Sequence, residues 1–501
     1  MKGNEAVVAS GHPLVSQAAL EMLHAGGNAF DAVVAAGFTS TVAEPALTSL
    51  GGGGFLLAKT REDEEILFDF FADTPGRGLS PDTLEPHFFP VTVQFPGTDQ
   101  DFNVGMGSVA VPGSLKGFIH IHNRLGSLPL ARIVLPAIEA ARHGVRVNRQ
   151  QAYFLKLLYP IMTLTDTGKK IFEPDGQYLQ QGDLLINHPL ADFLEQLPED
   201  QGADFYTGKI AETIAADMTR HRGLLTGKDL ALYEIKERSP LKISYRNLTV
   251  LTNPPPSQGG SLITMALKIL ENIDFHDIPW GSLQYLDTIA KVMAAVEDKK
   301  NCPPAQLEED WHDSIANEIR SFSRGTTQIS VTDGTGNAAS MTCSNGEGSG
   351  YIVPGTGIML NNMMGEDDLH PDGFHSSPPG LRVASMMSPT LVLHNGIVRL
   401  VVGSGGSKRI RTAIMQVLTN IIDYKMTVAE AVNAPRIHWD GEILQVEPGF
   451  SPEILSSLKQ YWPINEWSHQ DVYFGGVNAV SGSQGYGDPR RGGDARTLSG
   501  D

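Results

Sequence analysis

The sequence predicts a layered fold of the α/β (α+β) class, in which strands pack against amphipathic helices. Three observations lead to this prediction. Apolar residues recur at helical spacing near the start of the chain, strand-like runs flank tight turns, and a long helical pattern follows a glycine cluster at 403–406. Hydrophobic residues make up 41% of the 501 residues, which is ordinary for a protein that buries a large core.

The first half of the chain is predicted to begin with two helices and a β-hairpin. Leu14, Ala18 and Met22 recur at helical spacing, and two glycines end that helix. Asn28 is a suitable cap for the next helix, whose Ala and Val content indicates burial. The predicted helices cover 13–23 and 29–38, the hairpin strands cover 55–59 and 66–71, and a rigid proline-rich turn covers 253–256.

The second half is predicted to be rich in strands. Asn395-Gly396 is the strongest hairpin dipeptide in the chain, because both residue types accept positive φ. Ser451 is expected to cap the last helix, with Pro452 in its first turn. The predicted strands cover 327–332, 337–344, 390–394 and 397–402, and the predicted helices cover 408–424 and 452–461.

A small residue, Gly325, stands before the pair Thr326-Thr327 and a β-prone run. If the Gly325–Thr326 peptide is cut, Thr326 gains a free α-amino group that can deprotonate its own hydroxyl, so one residue supplies nucleophile and base. Glycine hinders attack on its carbonyl least. Taken alone, such a threonine pair is also compatible with an ordinary exposed strand.

Further motifs extend over nearly the whole chain. They are GGNAFDA at 26–32, EP at 44–45, GGGGF at 51–55, VPG at 111–113, FYTG at 205–208, PPPSQGG at 254–260, GIMLNN at 357–362, MSPT at 387–390, GSGG at 403–406, APR at 434–436 and GDPR at 487–490. In this order they resemble the γ-glutamyltransferase (γ-glutamyltranspeptidase, glutathione hydrolase) family of N-terminal-nucleophile hydrolases, and the resemblance indicates a divergent member.

The resemblance implies a four-layer αββα sandwich and self-cleavage between Gly325 and Thr326. The products would be a large chain, 1–325, and a small catalytic chain, 326–501, which share one core. Ser344 matches a hydroxyl that hydrogen-bonds the nucleophile in the family, with an ordinary strand serine as the alternative. Asn345 matches a substrate-binding residue.

The glycine motif at 403–406 lies between a predicted strand and a predicted helix, where backbone N–H groups can bind an oxyanion. The family places the oxyanion at paired glycines, here Gly405 and Gly406, with an uncertainty of one residue. A nucleotide-binding loop is disfavoured because the motif lacks Walker spacing.

The largest departures from the family concern the head of a glutamyl donor. The family clamps the donor carboxylate with an Arg in Asp-Phe-Arg-Glu, and Phe71 stands at that place here. A serine pair becomes Ser385-Met386, the amine-binding Gln or Glu becomes Met363, and the amine-binding Asp becomes Glu366. We therefore expect a pocket that is more apolar and less charged than a glutamyl pocket.

Other polar residues near the motifs are expected to be structural. Three arginines could replace the missing cation, although a surface salt bridge is the expected fate of each: Arg77, Arg382 and Arg409. Glu44, His370 and His375 are expected to serve the fold, and neither a metal nor a cofactor is implied. Cys302 and Cys343 are too few for a disulfide framework, and Cys343 is expected to be buried.

The leading functional prediction is a self-cleaving amide hydrolase or acyltransferase that acts on a glutathione-like or other acyl amide. The alternatives are a member that serves a non-glutamyl substrate, either cephalosporin-acylase-like or a biosynthetic amidase, and an inactive binding protein. A net charge of −19 argues against nucleic acid. No apolar run predicts a membrane span, and the N-terminus shows no secretion signal, so we expect a cytoplasmic protein, or a periplasmic one if the sequence was trimmed. A homodimer of the two-chain unit is compatible with the resemblance.

Overall fold

The computed structural model describes residues 5–80, 85–95, 98–299, 325–366, 369–370 and 373–498, which form two large antiparallel sheets and surrounding helices. Across the seven-stranded sheet the strands are β20 (Asp494–Leu498), β1 (Ala6–Ser10), β11 (Thr327–Thr332), β12 (Ala338–Ser344), β2 (Gly53–Lys59), β3 (Glu65–Phe70) and β8 (Lys236–Arg238). Across the six-stranded sheet they are β19 (Gln484–Tyr486), β18 (Gly476–Ser481), β14 (Ile397–Gly405), β13 (Thr390–His394), β10 (Leu248–Thr252) and β9 (Leu241–Tyr245).

Small sheets and sixteen α-helices complete the described part of the chain. The small sheets are β4 (Phe89–Phe95) with β5 (Thr98–Val104), β6 (Val145–Arg146) with β7 (Leu184–Leu185), and β15 (Ile437–Trp439) with β16 (Leu444–Val446) and β17 (Ile464–Glu466). The helices are α1 (Pro13–His24), α2 (Ala29–Ala43), α3 (Ser114–Leu125), α4 (Leu130–His143), α5 (Arg149–Leu157), α6 (Tyr159–Met162), α7 (Asp166–Phe172), α8 (His188–Asp200), α9 (Ala203–Thr207), α10 (Lys209–Arg220), α11 (Gly227–Leu232), α12 (Gly259–Glu271), α13 (Leu283–Lys299), α14 (Arg409–Ile422), α15 (Val428–Asn433) and α16 (Pro452–Leu458).

The two large sheets pack face to face and are covered by helices on their outer sides. Helices α1, α2 and α3 contact the seven-stranded sheet, α12 and α14 contact the six-stranded sheet, and β11 and β12 contact β14 across the interface. Strand β2 shows how one segment serves two layers: Leu56 and Ala58 join the core under the helices, while Phe55 and Leu57 join the core between the sheets. The predicted four-layer αββα sandwich is confirmed.

Helix α2 is buried along its whole length, as its composition predicted. Asn28 caps it, and the side chain of Asp31 bonds back to the Asn28 backbone in a capping box. The helix continues past the predicted end at residue 38. It tolerates Thr39 and Ser40 in the core because their hydroxyls donate to the carbonyls of Ala35 and Gly37, at 2.8 Å and 2.7 Å.

The strand predictions of the second half are confirmed with two corrections. Strands β11 and β13 have the predicted bounds, β12 starts one residue later than predicted, at Ala338, and β14 continues three residues past residue 402. Glycines usually weaken a strand, but here they allow close approach: a Cβ on Gly403 would lie 2.2 Å from the Gln328 side chain. Helix α16 starts at Pro452 as predicted, although the Ser451 side chain bonds Glu453 and no backbone N–H.

Strands from both sides of residue 325 take part in each large sheet. In the seven-stranded sheet, β11 lies between β1 and β12, and β12 lies between β11 and β2. One core therefore includes residues of 1–325 and of 326–501, while the division into two chains stays a prediction.

Among the described residues, no helix combines the length and the apolar character that a membrane span requires. The same residues contain no group of three or more His, Cys, Asp or Glu side chains placed to hold a metal. Cys343 is buried, as expected, and Cys302 lies outside the described residues.

Candidate active site

The hairpin of β11 and β12 brings Thr326 and Ser344 together at one end of the seven-stranded sheet. Its register pairs Thr327 with Cys343, so the residue before β11 and the last residue of β12 are neighbours. Both are buried, with 3% of Thr326 and 8% of Ser344 exposed. Sequence spacing could predict this pairing because the hairpin turn lies between them.

Ser344 is bonded to the peptide that the sequence predicted as the cleavage site. Its hydroxyl donates to the carbonyl oxygen of Gly325 at 2.5 Å and accepts from the backbone N–H of Gly346 at 3.0 Å. The Thr326 hydroxyl lies 3.4 Å from the Ser344 hydroxyl oxygen. A hydroxyl that donates to a carbonyl oxygen stabilises negative charge that develops there, so this arrangement favours attack on the Gly325 carbonyl.

A cavity opens beside Thr326. Seven predicted site residues line it: Thr326, Ser344, Phe71, Met363, Glu366, Ser385 and Met386. Four residues that were not predicted as site residues also line it: Leu369, Met387, Ser407 and Ile410. Ser407 directly follows the glycine motif at 403–406, and this position is the sequence signal that could have identified it as a site residue.

The walls of this cavity are mainly apolar. Among the described lining residues there is no Lys or Arg, and Glu366 is the single ionisable residue of the cavity wall. Phe71 is 2% exposed and stacks on Phe55, with ring centroids 5.4 Å apart. The structure therefore places an aromatic ring in the cavity wall at the position where the resemblance implies a carboxylate-binding Arg.

Arg382 does not lie on the surface, which corrects the expectation from sequence. It is 9% exposed, and its guanidinium contacts Asp73 at 3.0 Å and Asp69 at 3.5 Å. It also donates to the carbonyl oxygen of Phe71 and to the Tyr233 hydroxyl, the latter at 2.8 Å. These partners hold Arg382 behind the Phe71 backbone, and it does not line the cavity.

Arg409 is also buried, against the expectation of a surface salt bridge. Its guanidinium lies over the Tyr473 ring at 4.5 Å, and its Nε donates to the Tyr473 carbonyl at 2.9 Å. The start of α14 is covered by residues 472–474, a long-range contact that the local sequence does not reveal. Arg77 behaves as expected, since its side chain is partly exposed and lies 3.8 Å from Asp229.

Gly405 lies beside Thr326, and neither Gly405 nor Gly406 lines the cavity. Gly405 is paired with Gly476, and a Cβ on Gly405 would lie 2.3 Å from the Thr326 carbonyl oxygen. Gly406 has φ +127° and lies against Gly475. Their role at the oxyanion stays a prediction.

Asn345 is buried and does not line the cavity. Its backbone N–H donates to the Leu47 carbonyl at 3.2 Å. Its predicted contact with substrate has no support from this position.

The two histidines have the structural surroundings that were expected. His370 is buried with Nε2 2.9 Å from the Met363 carbonyl oxygen. His375 packs against Phe88, and burial lowers its pKa to about 4, so its ring is neutral at physiological pH.

Glu44 lies on the opposite side of β11 from the cavity residues. Its carboxyl oxygens accept from the Thr327 hydroxyl at 3.0 Å and 3.1 Å. Burial raises the pKa of Glu44 to about 7, an effect that Thr327 and nearby Arg491 partly oppose. Glu44 thus supports the strand that carries the candidate nucleophile.

Comparison with known proteins supports the resemblance. The gamma-glutamyltranspeptidase family model matches residues 15–303 and 288–498. The glutathione hydrolase proenzyme of Escherichia coli (strain K12) is 34% identical over 502 aligned positions, covering 92% of this chain and 85% of that protein. The acylase ACY 1 proenzyme of Pseudomonas sp. (strain SE83) is 31% identical, covering 91% of this chain and 86% of that protein.

A solved structure of similar fold is the cephalosporin acylase from Bacillus halodurans. It aligns with a TM-score of 0.83 at 26% identity and covers 99% of this chain and 96% of that one. The family model and the relatives above 30% identity together span nearly the whole chain. This chain therefore belongs to the gamma-glutamyltranspeptidase family and is an enzyme of its hydrolase and acyltransferase type.

Proposed function

We propose that this protein is a self-cleaving N-terminal-threonine amidase whose donor cavity takes an apolar or uncharged acyl group in preference to a γ-glutamyl group. The single observation that carries this proposal is the cavity beside Thr326, where Phe71, Met363 and Met386 form the wall and the described residues supply no cation.

Maturation would begin when the Thr326 Oγ attacks the Gly325 carbonyl carbon. The Gly325–Thr326 C–N bond breaks, the proton of the Thr326 hydroxyl passes to the Thr326 nitrogen to give a free amine, and an ester joins Gly325 to Oγ. Water then hydrolyses the ester, which leaves a Gly325 carboxylate and a free Thr326 hydroxyl. The 2.5 Å contact from Ser344 to the Gly325 carbonyl supports the first step, because that oxygen gains negative charge there.

Turnover would use the same hydroxyl on an amide substrate. The free α-amine takes the hydroxyl proton as Oγ attacks, then gives it to the leaving amine, and the acyl group stays on Thr326. Water or a second amine removes the acyl group. The large and small chains would remain together, because strands of both lie within one sheet.

The acyl preference follows from the cost of burying a charge. The α-carboxylate of a glutamyl donor would enter a cavity that lacks a cation among its described lining residues. An unpaired buried carboxylate costs several kcal/mol, and each 1.4 kcal/mol is about tenfold. We expect γ-glutamyl amides to react roughly 10²-fold or more slowly than in a family member that has the Arg. The acylase relatives support a non-glutamyl donor.

Glu366 and Ser385 are the polar groups that remain on the wall together with Ser344 and Ser407. Hydrogen bonds from an acyl amide to one of these groups would fix its orientation while its apolar part contacts the methionines. A glutathione hydrolase, as the name of the E. coli relative describes that protein, is the second candidate, favoured by the polar residues at these positions.

Intact-mass spectrometry and a donor panel test the proposal. The wild-type protein should give two chains, 1–325 and 326–501, and Thr326→Ala should give one inactive chain. For the mature enzyme, kcat/KM should be higher for simple uncharged acyl anilides than for γ-glutamyl or glutaryl anilide, because both of the latter bring a carboxylate into the cavity. A micromolar KM for glutathione with efficient hydrolysis would refute the acyl preference. A wild-type chain that stays intact yet turns over substrate would refute the mechanism.

A further inference from the structure

A second cavity lies near the scissile peptide and shares no lining residue with the substrate cavity. Ala46 and Leu47 are part of its wall, and both pack on Gly325: a Cβ on Gly325 would lie 2.6 Å from the Ala46 carbonyl oxygen and 3.1 Å from the Leu47 Cα. Glu44 and Arg491 also line it. These two residues contact the start of β11, and neither of them lines the substrate cavity.

Glu44 reaches the second residue of the small chain. It caps the C-terminal end of the buried helix α2, and its carboxyl group accepts from the Thr327 hydroxyl. Gly11 makes room for this carboxyl group, because a Cβ at Gly11 would lie 2.4 Å from its Oε1. The Glu44 side chain is therefore confined between α2, Gly11 and Thr327.

Arg491 reaches the first residue of the small chain. It is 6% exposed, and its Nη1 donates to the Thr326 carbonyl oxygen at 3.2 Å, while Nη2 donates to the Val472 carbonyl at 3.3 Å. The adjacent Arg490 bonds Glu447 with its Nε at 2.7 Å. This buried ion pair fixes the turn that directs Arg491 towards Thr326.

We propose that Glu44 and Arg491 are positioning residues that together clamp Thr326 and Thr327, and so set the place of the nucleophile for self-cleavage and for turnover. We call this pair the clamp. The proposal rests on the proposed function, because it assigns to the clamp the alignment of the nucleophile that this function requires.

The clamp crosses the boundary between the two expected products. Glu44 belongs to 1–325, whereas Thr326, Thr327 and Arg491 belong to 326–501. Once the peptide is cut, covalent attachment no longer holds Thr326 near Gly325, and the two side-chain contacts remain. A nucleophile displaced by about 1 Å loses about 10²-fold in rate, so these contacts matter most in the mature enzyme.

The charge of Glu44 gives the clamp a pH dependence. The groups that face Glu44 are Arg491 from the C-terminal turn, Cys343 from β12 and the hydroxyl of Thr327. Burial lowers the pKa of Arg491 to about 10 and raises that of Cys343, so the first is charged and the second neutral near pH 7. His12 lines the same cavity, and burial lowers its pKa to about 4, so it is neutral as well.

Since the pKa of Glu44 is raised to about 7, its carboxylate forms as the pH rises through neutrality. The carboxylate attracts Arg491 and accepts from Thr327 more strongly than the neutral acid does. Self-cleavage should therefore accelerate through an inflection near pH 7.

Cell-free translation of the full chain, followed by electrophoresis over time, measures self-cleavage from the moment the chain is made. Thr327→Val removes the hydroxyl at nearly constant shape, and Arg491→Met removes the guanidinium. Each should slow cleavage by about 10²-fold. Thr327→Ser, which keeps the hydroxyl, should restore most of the rate.

Thr332→Val is the matched control, because it makes the same change on the same strand. The Thr332 hydroxyl is buried and has no hydrogen-bond partner among the described residues. This control should cleave at the wild-type rate.

Two further readouts separate positioning from a loss of stability. Glu44→Gln keeps an acceptor for Thr327 but cannot ionise, so its cleavage rate should lose the inflection near pH 7. In the matured variants kcat should fall while KM for an acyl anilide stays constant, because the clamp residues do not line the substrate cavity.

Wild-type cleavage rates in folded Thr327→Val and Arg491→Met proteins would overturn the clamp, as would an unchanged pH profile in Glu44→Gln. If Thr327→Val does not fold, as judged by circular dichroism, the Glu44→Gln profile decides. A wild-type chain that never cleaves would instead overturn the proposed function, which keeps the two failures distinct.

Discussion

Ser344→Ala removes the hydroxyl that donates to the scissile carbonyl. In the structure this hydroxyl donates a hydrogen bond to the Gly325 carbonyl oxygen at 2.5 Å. Loss of one donor to a developing oxyanion costs about 10²–10³ in rate, or roughly 2.7–4 kcal/mol of transition-state stabilisation. We expect self-cleavage of Ser344→Ala to slow by that factor.

The same change leaves the backbone N–H of Gly346 without its acceptor, which should cost about 1–3 kcal/mol of folding free energy. The assay therefore needs a thermal-unfolding measurement beside the time course of cleavage. Ser114→Ala is a suitable control, because the Ser114 hydroxyl is also buried and has no partner among the described residues. Cleavage of folded Ser344→Ala at the rate of Ser114→Ala would refute the assigned role of the hydroxyl.

Three further substitutions test other parts of the molecule. Gly405→Ala would place a Cβ 2.3 Å from the Thr326 carbonyl oxygen, so kcat should fall by roughly 10²–10³-fold if an oxyanion donor is displaced; an altered KM with unchanged kcat would indicate a substrate-positioning loop. Phe71→Arg brings a cation to the cavity, so kcat/KM for γ-glutamyl anilide should rise relative to a simple acyl anilide, and a constant ratio would count against our interpretation of this position. Glu44→Gln removes a carboxyl group whose pKa is raised from 4.5 to about 7 in the folded protein. Because the unfolded chain releases this proton at lower pH than the folded one, the wild type loses about 3 kcal/mol of its free energy of unfolding as the pH rises from 4.5 through 7. The Tm advantage of Glu44→Gln over the wild type should therefore be larger at pH 8 than at pH 5, and an equal difference at both pH values would contradict this cost.

Local signals predicted the elements whose geometry is set by neighbouring residues. The hairpin around Asn395-Gly396 formed as expected, since the turn and the alternation of apolar residues agree. Asn28 caps α2 as predicted, because its side chain accepts hydrogen bonds from backbone N–H groups only two and three residues ahead. The hairpin of β11 and β12 also placed Thr326 beside Ser344, so the centre of the candidate site could be predicted from the sequence.

Long-range contacts account for what the sequence could not predict. Arg382 is buried because carboxylates more than 300 positions earlier in the chain neutralise it, and composition alone favoured the surface for such a residue. Likewise, the bond from Thr327 to Glu44 joins residues 283 positions apart. The predicted end of β14 was too early because glycine is disfavoured in strands on average. In the structure the glycines of β14 pack closely against β11, and this long-range contact extends the strand.

The apolar character of the cavity and the burial of Arg382 have one structural origin. Asp69 and Asp73 flank Phe71 in sequence, and both bind Arg382 behind the strand end. Because Arg382 also binds the Phe71 carbonyl, the backbone is held from that side while the Phe71 ring lines the cavity on the other. Arg382 is thus already neutralised and cannot turn to a substrate carboxylate without breaking its ion pair with Asp73, which would be strongly unfavourable. We therefore expect the proposed donor preference to depend on the side chain at position 71 itself, and not on a rearrangement of the charges behind it.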